Sequence, residues 1–95
     1  MQQLVTPSAI PSPKFDVESR ALDDELFLIN PDDATTAVHC LNGGAALIWL
    51  LCDGTRDVAA IVDEISSAFD LPADEVLDDV RKTVAHLESL RLLET

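Results

Sequence analysis

Two periods of apolar residues divide this chain. Up to about residue 41 the apolar positions follow a strand pattern, and beyond it they follow a helical one. Phe15-Asp16-Val17-Glu18-Ser19-Arg20 opens with the alternation of a half-buried strand, and Asp23-Asp24 is a turn signal. Glu25-Leu26-Phe27-Leu28-Ile29-Asn30 reads as a more fully buried strand, closed by Pro31-Asp32-Asp33. Thr35-Thr36-Ala37-Val38-His39-Cys40-Leu41 is rich in β-branched residues and predicts a third strand. Short turns between three short strands imply an antiparallel meander.

After Asn42-Gly43-Gly44 the spacing becomes helical. Asn42 is a candidate cap for a first helix carrying Ala45, Ile48, Leu51 and Cys52 on one face, with Gly54 as its stop. That helix is apolar nearly all round, which predicts the most buried element of the fold. Thr55 or Asp57 starts a second helix with Val58, Ile61, Val62, Ile65 and Phe69 on one stripe. Asp70-Leu71 breaks it, and Pro72 suits the first turn of a third helix. The third stripe is Val76, Val80, Val84 and Leu87, with Leu77 and Leu90 alongside. Leu92-Leu93 reads as a short closing strand or as a segment packed back on the core. Residues 1–13 carry Pro7, Pro11 and Pro13 among polar residues and read as a flexible arm, leaving residues 14–95 as the domain. Three strands cannot close into a barrel, so helices must cover one face, giving a small α+β domain.

Composition narrows what such a domain can do. The chain has 95 residues, 18 acidic and 6 basic, for a formal net charge of −12. With 47% hydrophobic residues it can bury a core. It is too short for a two-lobed enzyme with a deep cleft. So few cations weigh against nucleic acid, whose backbone is bound by Lys and Arg. The longest apolar stretch, residues 45–52, is far short of the ~20 residues a membrane span needs. No basic segment followed by an apolar one marks a signal peptide, and Cys40 and Cys52 make no disulfide framework. A cytoplasmic protein with reduced thiols is expected.

Chemistry-bearing motifs are few. No glycine-rich phosphate loop, Cys-x-x-Cys or His-Glu-x-x-His is present. His39, Cys40, Cys52 and His86 could form a metal set, but His39 and Cys40 lie on opposite faces of a strand. No metal, cofactor or catalytic nucleophile is expected, and Cys52, with Cys40 beside it in this reading, is a small core residue. Asp74, Glu75, Asp78 and Asp79 read as a solvated face at the positive end of the third helix. Arg81 and Lys82 pair along that helix with Asp78 and Asp79, or else form a basic spot for an acidic peptide. Trp49 reads as core. The third strand has no Lys, Pro or acidic residue, the devices that blunt an exposed edge. Such an edge is a template for an added peptide strand, unless a helix or a twin subunit shields it.

The run Leu41-Asn42-Gly43-Gly44-Ala45-Ala46-Leu47-Ile48-Trp49-Leu50-Leu51-Cys52-Asp53-Gly54-Thr55-Arg56 resembles the central motif of PqqD-like proteins. Ile61-Val62-Asp63-Glu64-Ile65 with Phe69, then Val76-Leu77-Asp78-Asp79-Val80 and the closing Leu92-Leu93, resemble the rest of that family's pattern. The likeness covers roughly residues 14–94. The family commonly has Gly where Arg91 stands, which implies a different end to the third helix, and its aromatic-rich second strand is reduced here to Phe27. The resemblance implies a winged-helix-like recognition element of three strands and three helices. It would bind the leader of a ribosomally made precursor peptide and present it to a modifying enzyme such as a radical-SAM enzyme, protease or cyclase. By position, the leader would lie beside the third strand, at Thr35, Thr36, Ala37, Val38, His39 and Cys40, and against Asp79, Lys82, Thr83 and His86 of the third helix. The acidic surface suggests a basic or neutral leader or partner enzyme. The competing expectations are a structural or dimerisation subunit using the same edge and, more remotely, a winged-helix DNA-binding regulator.

Overall fold

The three-stranded meander and the three helices form in the expected order. The computed structural model describes residues 6–14, 17–23, 25–30 and 38–95, except for the side chain of Asn42. A two-residue strand, β1 (Ser12–Pro13), precedes the meander β2 (Glu18–Leu22), β3 (Glu25–Ile29) and β4 (Val38–Asn42). Helices α1 (Gly43–Leu51), α2 (Val58–Phe69) and α3 (Ala73–Ser89) follow, and β5 (Leu93–Glu94) closes the chain. The sheet order is β2-β3-β4, all antiparallel. Leu22 pairs with Glu25 across the turn, where Asp23 adopts φ 54, the left-handed backbone of a tight hairpin. The first strand therefore begins at Glu18, and Phe15 and Asp16 lie outside the described residues. So do Thr35, Thr36 and Ala37 of the expected third strand, while β4 itself runs on to Asn42.

Register decides which side chains meet the core. Leu26 faces Leu41 and Leu28 faces His39, so these four share the face that the helices cover. Phe27, Ile29, Val38 and Cys40 occupy the other face. Leu26, Leu28 and Leu41 pack with Ile48 and Trp49 of α1, and with Val58, Ile61, Val62 and Ile65 of α2. Val76, Val80, Val84 and Leu87 of α3, with Leu92 and Leu93, complete one core. Each fully buried side chain of this kind contributes about 1.5–3 kcal/mol.

Three expectations are corrected. Helix α1 is not buried all round: only Ile48 and Trp49 are inside, and Leu50 is 63% exposed. A nine-residue helix on the rim of so small a domain has too few neighbours to cover every side. Phe69 ends the α2 stripe but stands 57% exposed. The segment read as an arm is tied to the domain from Pro7 onward. Val58 N–H donates to Ala9 C=O at 2.9 Å, Ala59 N–H to Pro7 C=O at 3.0 Å and Gly54 N–H to Pro11 C=O at 3.0 Å. Pro11 is fully buried, and β1 pairs with β5.

Helix ends follow their residues. Asp57 caps α2, its Oδ1 accepting from Ala60 N–H at 2.8 Å. Asp70 ends it in the left-handed region, φ 53 and ψ 48. Pro72 stands at the N-cap of α3, one residue before the expected first turn. Ser66 Oγ donates to Leu71 C=O at 2.6 Å, which holds the α2–α3 corner.

Candidate functional site

Strand β4 is the last strand in the sheet order, and among the described residues nothing pairs with its outer edge. Helix α3 runs from the β4–α1 junction back toward the end of β3. Its C-terminal end is tied to the end of β3, where Asn30 Nδ2 donates to Arg91 C=O at 2.6 Å. Its N-terminal half faces Gly43 and Gly44, where β4 turns into α1.

There a cavity of about 700 Å³ opens. Leu47 and Ile48 of α1 form one wall, and Ile65, Phe69 and Leu71 form another. Val76, Asp79, Val80, Lys82 and Thr83 of α3 close it. The lining is mainly apolar, which suits an apolar side chain of a ligand. Phe69 and Leu71 are exposed at its border, 57% and 47%, so the cavity is open to solvent there.

Of the residues singled out from sequence, Asp79, Lys82 and Thr83 line this cavity. His86 is exposed on α3 outside the lining. On β4, Val38 and Cys40 stand on the solvent face. His39 lies on the core face, and its Nε2 is buried with no hydrogen-bond partner among the described residues. Thr35, Thr36 and Ala37 lie outside the described residues. Leu47, Phe69, Leu71, Val76 and Val80 read from the sequence as core or as a helix break. The usable signal was a surplus, since α1 and the end of α2 carry more apolar residues than one core face can absorb.

The Asp53-Gly54-Thr55-Arg56 motif works at the α1–α2 corner and not in the cavity. Asp53 Oδ1 accepts from Thr55 N–H at 3.0 Å and from the Thr55 hydroxyl. Those bonds, the hydroxyl first, hold the Asp53 carboxyl below the usual carboxylate range. Arg56 spans Asp53 at 3.0 Å and Glu64 of α2 at 2.9 Å. Gly54 has φ 84, and a Cβ there would stand 3.1 Å from Ser12 Cβ, so the corner accepts only glycine without strain.

Neither thiol fits the role of nucleophile. Cys52 is fully buried, and burial pushes its thiol up to about 12. Cys40 is exposed and not a core residue; its Sγ donates to Glu25 Oε2 at 3.2 Å, and that bond raises its pKa. Among the described residues no group of three or more His, Cys, Asp or Glu is clustered to hold a metal ion, and no helix is long and apolar enough to cross a membrane.

The sequence profile of the PqqD family, described as coenzyme PQQ synthesis protein D, matches residues 25–93. The chain belongs to the PqqD family. The match takes in β3, β4, all three helices and the cavity between them. Two solved structures are similar to it. One is TbiB1 in complex with the TbiA(beta) leader peptide, 26% identical, with a TM-score of 0.77 over 87% of this chain and 94% of that one. The other is the PqqD truncation of Methylobacterium extorquens PqqCD, a stand-alone recognition element for ribosomally synthesized and post-translationally modified peptides. At 22% identity and a TM-score of 0.79, over 95% of this chain and 94% of that one, it shares the fold. No curated protein matches the chain.

Proposed function

We propose that this chain is a leader-peptide recognition element, which binds the leader of a ribosomally made precursor and holds it for a separate modifying enzyme. The observation that carries this reading is the free edge of β4 beside an apolar cavity walled by α3, in a PqqD-family chain. The similar TbiB1 structure, with its leader peptide, supports it.

The leader joins the sheet as a strand along β4. Its backbone pairs with alternate N–H and C=O groups of the strand, so Val38, His39 and Cys40 set its register, together with Thr35, Thr36 and Ala37 upstream. Each such bond replaces one to water and contributes only about 0.5–1.5 kcal/mol. An apolar leader side chain that fills the cavity contributes about 1.5–3 kcal/mol on its own. Anchoring in the cavity therefore dominates affinity, and the ladder dominates register. A leader group at the level of His39 would also satisfy its buried Nε2. The domain does no chemistry in this reading. Asp79, Lys82, Thr83 and His86 shape the α3 side of the groove.

The test is calorimetric titration with the synthetic leader of the precursor encoded nearest this chain's gene. Micromolar or tighter binding is expected. Phe69→Ala, a change at an exposed side chain, weakens binding about tenfold while leaving the melting temperature within a few degrees. Binding equal to wild type in Phe69→Ala takes the cavity out of the leader site. No binding to that leader leaves the structural-subunit reading in its place.

A further inference from the structure

We propose that Asp79 selects leaders carrying a lysine or arginine two residues from the apolar side chain that fills the cavity. This rests on the leader-binding reading above and adds the chemistry of the second contact.

Among the described residues, three side chains that can hydrogen-bond line the cavity: Asp79, Lys82 and Thr83. Lys82 is already committed. Its Nζ lies 2.8 Å from Asp78 Oδ2, and its side chain is 75% exposed, so its charge is held on the solvent side. That bond is also the main reason its pKa is raised. Asp79 makes no close ion pair: those among the described residues are Asp53–Arg56, Glu64–Arg56 and Asp78–Lys82, and Lys82, three residues on, is attracted to Asp79 only more weakly than to the Asp78 that binds it. One helical turn before Asp79 stands another acid, Glu75, and one turn after it the uncharged Thr83. Asp79 is thus a carboxylate at the margin of an apolar cavity whose neighbouring cation is bound to another acid.

A peptide laid over the cavity strips water from that carboxylate. A leader that supplies no cation leaves it desolvated and unpaired, and one that supplies an acid adds repulsion. Discrimination arises as much from what is rejected as from what is attracted. The spacing follows from strand geometry. Every second side chain of an extended peptide points to the same face, so the cation sits two residues from the anchor.

The test displays random twelve-residue peptides and selects them on the full chain, on Asp79→Lys and on Asp74→Lys. Asp74 lies in the first turn of the same helix, outside the cavity lining, and its replacement changes net charge equally. Peptides enriched on the wild-type chain should share an apolar residue with Lys or Arg two positions away. On Asp79→Lys the apolar residue should stay and the basic one give way to Asp or Glu, while Asp74→Lys selects the wild-type pattern. A single wild-type peptide should lose about fivefold in affinity on Asp79→Lys, as expected for a partly exposed ion pair. Identical selections by the two variants, or an anchor with no basic residue at fixed spacing, overturn the Asp79 proposal and leave leader binding standing. Enriched peptides that leave the amide signals of β4 unmoved overturn both.

Discussion

Arg91 shows how one residue can take a conformation that suits another. It adopts φ 60, the left-handed backbone that ends many helices and that glycine reaches without cost. Leu92 N–H bonds back to Leu87 C=O at 3.0 Å, and Arg91 N–H to Glu88 C=O at 3.0 Å, closing the α3 terminus. The Arg91 carbonyl accepts from Asn30, a side chain only 4% exposed. The family's usual glycine at this place is therefore explained by the backbone, and the end of the helix is built in the glycine manner with an arginine in it. Asn30→Ala should lower unfolding free energy by about 1–3 kcal/mol, because a buried acceptor loses its donor. Arg91→Gly should leave stability unchanged or raise it by up to about 1 kcal/mol, the relieved strain being partly offset by a looser unfolded chain. Urea denaturation measures both, and a clear loss in Arg91→Gly would mean that the arginine side chain itself holds the turn.

Among the elements, the N-terminal segment departs furthest from its sequence. Prolines cannot donate, and three of them among polar residues read as an arm. The first turn of a helix lacks acceptors, however, and carbonyls are what Pro7, Ala9 and Pro11 offer. Val58 and Ala59 bond to that segment, Ala60 to the Asp57 side chain and Ile61 to the Asp57 carbonyl, so all four leading N–H groups of α2 are satisfied. Nothing local could reveal this, since the partners lie some fifty residues apart, and β1 meets β5 from the opposite end of the chain. By contrast, α2 and α3 follow from local periodicity: their predicted apolar stripes are the buried ones, save Phe69. Removing residues 1–10 should destabilise the fold by about 2 kcal/mol, through two lost helix-cap bonds and looser packing of Pro11. A urea midpoint equal to that of the full chain would contradict this.

At the scale of the whole molecule, the outer edge of β4 is unpaired among the described residues, and beside its end a cavity opens between α1, the end of α2 and α3. The backbone edge of β4 was legible, because no charge or proline guards it. The Asp79, Lys82 and Thr83 side of the groove came through the family resemblance. The cavity itself was not legible, since it depends on how far α1 and the α2 end stand off from α3. A period of apolar residues gives a helix its face but not its distance from its neighbours. Around this groove the chain carries a formal charge of −12, which favours cationic partners and gains most at low salt.

The central claim is that the leader lies along β4 and over the cavity beside α3. Amide chemical-shift mapping of the full chain, titrated with the synthetic leader, tests it most directly. The account predicts large shifts at Val38 to Asn42, at Phe69 and Leu71, and at Asp79 to Thr83, with β2 unmoved. Shifts that spare β4 and gather on β2 or on the outer face of the sheet would contradict it.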